Sequence, residues 1–186
     1  MNKRIMVLLA EGFEEIEALA TVDILRRGGV ECQIVGLNNG EVTGSHGIRV
    51  CADAQLDEIS PQDYDAIVLP GGLPGADHLR DDARVIKIVQ EYAGNSAKYI
   101  AAICAAPQVL AKAEVVRGRR VTSYPSDEYR EVLIMAGAEY VDDEKVVVDG
   151  NIITSRGPGT TFEFAYKILD VVGASSGVLR EAMLYR

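Results

Sequence analysis

One cysteine and one glutamate in this chain stand where chemistry would need them. Cys104 ends the apolar run Tyr99–Ile103 and is followed by Ala105, Ala106 and Pro107, then by the helix-forming stretch Gln108–Ala111. Proline suits the first turn of a helix, where its missing N–H would have no intrahelical partner. The pattern predicts a strand turning sharply into a helix with a thiol at the corner. Small residues on both sides let the two backbones approach, as a nucleophile elbow requires. The helix dipole and free N–H groups favour a thiolate there, so Cys104 is expected to ionise more readily than a free cysteine. The alternative is a cysteine packed as a small hydrophobe; the corner position weighs against it.

The second candidate is Glu17. Phe13, Ile16, Ala20 and Ile24 recur at the spacing of one helical face, and Glu17 falls on that face. Glu14 and Asp23 are expected to turn toward water. A carboxylate among apolar side chains is costly unless partnered, so its pKa should rise toward neutrality. A structural glutamate satisfied by backbone N–H groups or an arginine is the alternative; the clustering of perturbed carboxyls at sites favours function. A neutral Glu17 beside a Cys104 thiolate would share one proton between acid and nucleophile.

The glycine-rich PGGLPG after Leu69 lacks the lysine of a P-loop and the spacing of a dinucleotide fingerprint. It is read instead as half of an oxyanion hole, the Gly72 N–H opposite that of Ala105. A cysteine peptidase or amidotransferase would need a histidine as acid for its amine leaving group. The chain has only His46, in a hairpin, and His78, on a short exposed helix, both expected to be solvated. The loop after Arg120–Ser123 offers Tyr124 in that place. No His, Cys or Asp cluster has metal-ligand spacing, so no metal and no cofactor are expected.

The elements that must position these residues alternate along the chain. Strands are predicted at Arg4–Ala10, Glu31–Gly36, Ala66–Leu69, Tyr99–Ile103 and Arg120–Ser123, with Val146–Asp149 and Ile152–Thr154 around Gly150. Helices are predicted at Glu14–Arg27, Asp82–Tyr92, Ser126–Ala136, Thr160–Val172 and Ser175–Leu184. Glu41–Thr43 and Ile48–Cys51 read as a hairpin at a sheet edge. This is the pattern of one doubly wound α/β domain over residues 1–186, with a mostly parallel sheet and helices on both faces. Sites in such sheets form at the carboxyl ends of strands, which selects the loops at Glu11–Phe13, Gly71–Gly75 and Cys104–Pro107.

A net charge of −9 with no long basic run argues against a nucleic-acid surface or binding to anionic membranes. No apolar stretch is long enough to span a bilayer. Three widely spaced cysteines do not form a disulfide framework and point to a reducing cytoplasm.

The segments EGFEEIEA, LPGG, AAICAAP and TSRGPGTTFEFA together resemble the ThiJ/PfpI family, and within it the clade of the Parkinson's-disease-associated protein deglycase. The resemblance covers nearly the whole chain. It implies a flavodoxin-like fold and a homodimer, with the first helix and the hairpin at the interface. It places the nucleophile on Cys104, the site glutamate on Glu17 and the oxyanion-hole amides on Gly72 and Ala105. Gly71, Glu14, Arg27, Tyr124, Arg156 and Pro158 would lie near the site. Ala105 stands where the peptidase-like branch has a histidine, Tyr124 where the deglycase has one, and His46 where the family has a hairpin arginine. The activities implied are glutathione-independent glyoxalase, deglycation of early aldehyde adducts, peroxide sensing through the cysteine, and chaperone action. The substrate would be a small aldehyde or a glycated adduct. A redox-sensing module acting through Cys104 is the alternative, and a peptidase- or amidotransferase-like hydrolase the third.

Overall fold

The computed structural model describes residues 3–185. In chain order, β1 (Arg4–Leu9), α1 (Glu15–Arg27) and β2 (Glu31–Gly36) form the first parallel unit. The short strands β3 (Glu41–Thr43), β4 (Arg49–Cys51) and β5 (Ala54–Gln55) follow. After β6 (Ala66–Leu69) come α2 (Gly75–Asp81) and α3 (Ala83–Ala93). The strand β7 (Tyr99–Ile103) leads to α4 (Pro107–Lys112), β8 (Arg120–Val121), α5 (Asp127–Met135) and β9 (Glu139–Tyr140). The chain closes with β10 (Val146–Asp149), β11 (Ile152–Ser155), α6 (Thr161–Val171) and α7 (Gly177–Ala182).

Seven strands form the main sheet in the order β10-β11-β7-β6-β1-β2-β5. All its pairs are parallel except β10 with β11. Alternation along β1 feeds two cores: Met6 and Leu8 face the side of α2–α5, while Ile5, Val7 and Leu9 face α1 and α6. Both faces being covered explains why the central strands read as continuous apolar runs. The architecture is the doubly wound α/β fold that the strand–helix alternation predicts, in the flavodoxin-like form that the family resemblance implies. Strand order reverses at β1, whose neighbours are β2 on one side and β6 on the other, and the loops after β1, β6 and β7 emerge at one end of the sheet.

Two expectations are corrected. The β3–β4 hairpin is not an edge of the main sheet; it is a separate pair lying over the start of α1. Gly12 N–H donates to Thr43 O at 2.8 Å and Ser45 N–H to Phe13 O at 2.8 Å. The exposed face of α1 also differs from the sequence stripe. Ile16 is 53% exposed, and the buried side carries Glu14, Glu15, Glu17, Ala18 and Thr21 instead. Phe13, Glu17 and Ile24 of the predicted stripe are buried, but hydropathy misplaced Ile16 and missed Glu14 and Glu15, because the N-terminal turn is buried by hydrogen bonding rather than by apolar contact.

The register of the edge against β7 is fixed by Asn151. Its side-chain amide donates to the carbonyls of Tyr92, Asn95 and Lys98 at 2.9, 3.3 and 3.0 Å. An alanine there removes these three bonds at a buried position, although Tyr92 O and Asn95 O keep the N–H groups of Asn95 and Lys98. Asn151→Ala should cost about 1–3 kcal/mol of stability, read as a lower urea midpoint at unchanged slope.

Candidate active site

The site begins with backbone geometry. Cys104 has a φ of 64°, the left-handed region that a non-glycine residue enters at a cost of roughly 1–3 kcal/mol. The turn holds because its amides are used. Cys104 N–H donates to Ser155 O at 3.0 Å, Ala106 N–H to Ile103 O at 3.0 Å, and Tyr124 N–H to Cys104 O at 2.8 Å. The strand therefore ends in the sharp corner predicted from AAICAAP, with Pro107 as the first residue of α4.

Against the thiol lies Glu17, fully buried. Its Oε2 accepts the Gly71 N–H at 2.7 Å. Its Oε1 has no hydrogen-bond partner among the described residues, and the carboxyl as a whole lies beside the Cys104 thiol. Glu14 is also buried rather than turned to water. Its Oε2 accepts the Glu17 N–H at 2.7 Å and so caps α1, fixing the turn that aims Glu17. Gly71 is required by space alone, since a Cβ there would lie 2.7 Å from Cys104 Cβ and 2.8 Å from Glu17 Oε2. Gly72, with φ of 87°, brings its N–H to the sulfur on one side as Ala105 does on the other.

Burial pushes Glu17 up to about 7; the Cys104 and Gly71 hydrogen bonds resist this and the Glu14 charge adds to it. Burial also raises the Cys104 thiol, and the Glu17 charge raises it further, while the Ala105 and Gly72 N–H groups lower it. The expectation of a readily ionised cysteine is thus corrected: the corner supplies donors, but burial of the sulfur, with the Glu17 charge beside it, outweighs them. The thiolate forms where the remaining proton of the pair sits on Glu17, which then donates to the sulfur alongside two backbone N–H groups.

A cavity of about 350 Å³ opens beside the sulfur, lined by Gly72, Leu73, Ala105, Tyr124, Ser126, Glu128 and Tyr129. Tyr124 thus lies where the sequence puts it. The Arg156–Pro158 loop continues from Ser155, and Gly157 lies under the Tyr124 ring. Arg27 does not join the site within this chain. It closes α1 ten residues beyond Glu17, exposed and paired with Asp23 at 2.7 Å. Leu73 and Tyr129 escaped the sequence reading; the available signal was an aromatic in the first turn of a helix that follows a strand-end loop.

Neither histidine reaches the cavity. His78 Nδ1 lies 3.1 Å from Glu11 O. His46 keeps an exposed ring, but its Nδ1 lies 2.8 Å from Glu15 Oε2, and its N–H donates to Glu15 Oε1 at 2.7 Å. Sequence spacing suggested no metal site, yet folding brings ligand atoms of Glu14, Glu15 and His46 within 4.8 Å of one another. Donors from Ser45, His46 and Ile48 occupy the Glu15 oxygens, making this cluster a clasp between α1 and the hairpin. Burial disfavours the Glu15 anion, but these donors win and hold its pKa low.

Fold and site together define a flavodoxin-like protein that presents a cysteine at a strand–helix corner against a buried glutamate. The DJ-1/PfpI family model matches residues 3–171, and the chain belongs to the DJ-1/PfpI family. It is 42% identical over 181 residues to the Drosophila melanogaster protein dj-1beta, covering 96% of this chain and 94% of the relative. The crystal structure of Drosophila DJ-1beta superposes with a TM-score of 0.93 at 39% identity, each chain covered in full. A Pyrococcus abyssi protein named a deglycase is 38% identical over 159 residues, covering 86% of this chain and 93% of the relative.

The raised Glu17 makes stability depend on pH. Its ordinary value is 4.5 and its folded value about 7, so the folded state binds more protons between them. The stabilisation is full below 4.5 and lost as pH rises through about 7. Glu17→Gln should remove this loss, on the order of 3 kcal/mol at 1.36 per pKa unit. Urea denaturation of wild type and Glu17→Gln at pH 5 and pH 8 reads it: the variant gains relative stability at the higher pH.

Proposed function

We propose that the protein is a cysteine-dependent enzyme that converts 2-oxoaldehydes, free or as early adducts, to 2-hydroxy acids without glutathione. One observation carries this reading: a fully buried carboxyl, held by the Gly71 N–H, lies beside the Cys104 thiol at the strand–helix corner. The relative named a deglycase supports it.

The chemistry needs an acid–base group and a nucleophile, and no amine leaving group. The Cys104 thiolate adds to the aldehyde carbon and forms a C–S bond. The Glu17 proton neutralises the resulting alkoxide, giving a hemithioacetal. The Gly72 and Ala105 N–H groups, which flank the sulfur, would stabilise the oxyanion while it lasts. Glu17, now a carboxylate, takes the proton from that carbon and returns it to the adjacent carbon, while the hydroxyl proton passes to the oxygen of that adjacent carbon through the enediol. This leaves the thioester of the 2-hydroxy acid. Water then cleaves the C–S bond, releasing the acid and restoring the thiol–carboxyl pair. Oxidation at one carbon balances reduction at its neighbour, so no external oxidant enters. With His46 and His78 outside the cavity, hydrolysis of amides has no acid for its leaving group.

Progress curves on methylglyoxal test this. Glu17→Gln should lose ~10²–10⁴-fold in kcat, the usual contribution of a general acid–base group. Cys104→Ser should lose nearly all turnover, since a hydroxyl without a base is a weak nucleophile. No turnover in the wild type, or a Glu17→Gln variant that matches it, overturns the enzymatic reading and leaves peroxide sensing by Cys104 as the role of the pair.

Self-association is also proposed. Ile16 on α1 and Ile48 in the hairpin are 53% and 52% exposed beside the Glu15–His46 clasp. Light scattering at micromolar concentration should give the mass of a dimer; a monomer refutes it.

A further inference from the structure

The cavity beside Cys104 is larger and less polar than a three-carbon aldehyde needs. Its volume of about 350 Å³ lies in the ~300–1,000 Å³ range of pockets that take drug-sized ligands. The Tyr129 ring, only 8% exposed, packs against Ala76 and Ala105, the residue whose N–H faces the sulfur. Leu73 and Tyr124 also line the space and keep 51% and 46% of their surfaces exposed. All three are tied to the site's own backbone. Leu73 follows Gly72 directly, Tyr124 N–H donates to Cys104 O, and Tyr129 belongs to the first turn of α5, with its N–H directed at Ser126 Oγ. Among the described residues, the single charged side chain in the lining is Glu128, and no lysine or arginine lines it. A substrate carrying phosphate or carboxylate would meet like charge and no counter-ion.

Resting on the reading above, we propose that this cavity selects 2-oxoaldehydes bearing an apolar substituent of aryl size over methylglyoxal. Leu73, Tyr124 and Tyr129 are the residues that determine this choice. Tyrosine rings accept a second ring in offset or edge-to-face contact, and the alanines under Tyr129 keep its ring in place. The carbonyl carbons would remain at the sulfur while the substituent fills the apolar part of the pocket.

Two measurements decide the proposal. In the first, kcat/KM is compared for phenylglyoxal and methylglyoxal in wild type, Leu73→Ala and Tyr129→Leu. Comparing ratios between variants cancels the intrinsic reactivity of the two aldehydes. Leu73 is exposed, so its variant tests the contact even where Tyr129→Leu disturbs packing. The phenylglyoxal preference should fall by ~10-fold or more in each variant that keeps its fold, the discrimination an apolar pocket supplies. The second needs no turnover: protection of Cys104 from iodoacetamide by mandelate and by lactate, the corresponding products. Mandelate should protect at concentrations ~10-fold lower than lactate, and Leu73→Ala should erase the difference. An aldehyde ratio unchanged in Leu73→Ala, or lactate protecting as well as mandelate, overturns the inference while leaving the enzymatic reading intact. If neither aldehyde is turned over, the enzymatic reading falls, and mandelate protection still decides what the cavity prefers.

Discussion

A carboxyl group without access to water must find its partners inside the protein, and Glu17 finds them in three different loops. Its peptide N–H is held by Glu14 at the end of the β1 loop, its Oε2 by Gly71 after β6, and the carboxyl packs beside the thiol after β7. Loss of any one partner leaves a buried polar group unsatisfied, at a cost of ~1–3 kcal/mol. The carboxyl thus fixes the relative positions of three strand ends that the sheet itself only brings near one another. The glycines and alanines around it follow from the same requirement, because side chains there would push the loops apart.

Three neighbouring glutamates on one helical turn have three different fates. Glu14 accepts the Glu17 N–H and stays with the helix end. Glu15 accepts from the hairpin and holds His46. Glu17 turns inward to sulfur. Sequence periodicity set Glu17 on the apolar face but assigned Glu14 to solvent. Their burial rests on backbone N–H donors at the start of α1 and in the hairpin turn, which no pattern of apolar residues encodes. For the same reason Ile16 looked like core and is exposed, and the hairpin looked like a sheet edge and is a cover over the helix start.

What was legible in the sequence was local. AAICAAP announces the corner, because strand, small residues and proline each leave a mark over a few positions. EGFEEIEA and LPGG announce loops at strand ends, and strand–helix alternation brings those loops to one end of the sheet. The separation of Arg27 from the site follows from helix rise, at about 1.5 Å per residue from Glu17, and its expected nearness rested on family resemblance alone. The cavity walls were not legible: Tyr129 reaches the sulfur's neighbourhood only through the packing of α5 on Ala76 and Ala105, a contact between segments far apart in the chain. The ionisation of Cys104 runs against the sequence expectation for the same reason, because the corner's donors are local while the burial of the sulfur and the carboxyl beside it come from other elements.

The left-handed backbone at Cys104 separates two demands usually met together. For folding alone, glycine is the preferred residue at this φ, since it enters the region without steric cost. A chain optimised for persistence would therefore discard the sulfur. Its retention in a strained turn marks position 104 as one where thermodynamic fitness and chemical utility pull in opposite directions, so a stabilised relative with glycine there would be expected to have given up the chemistry.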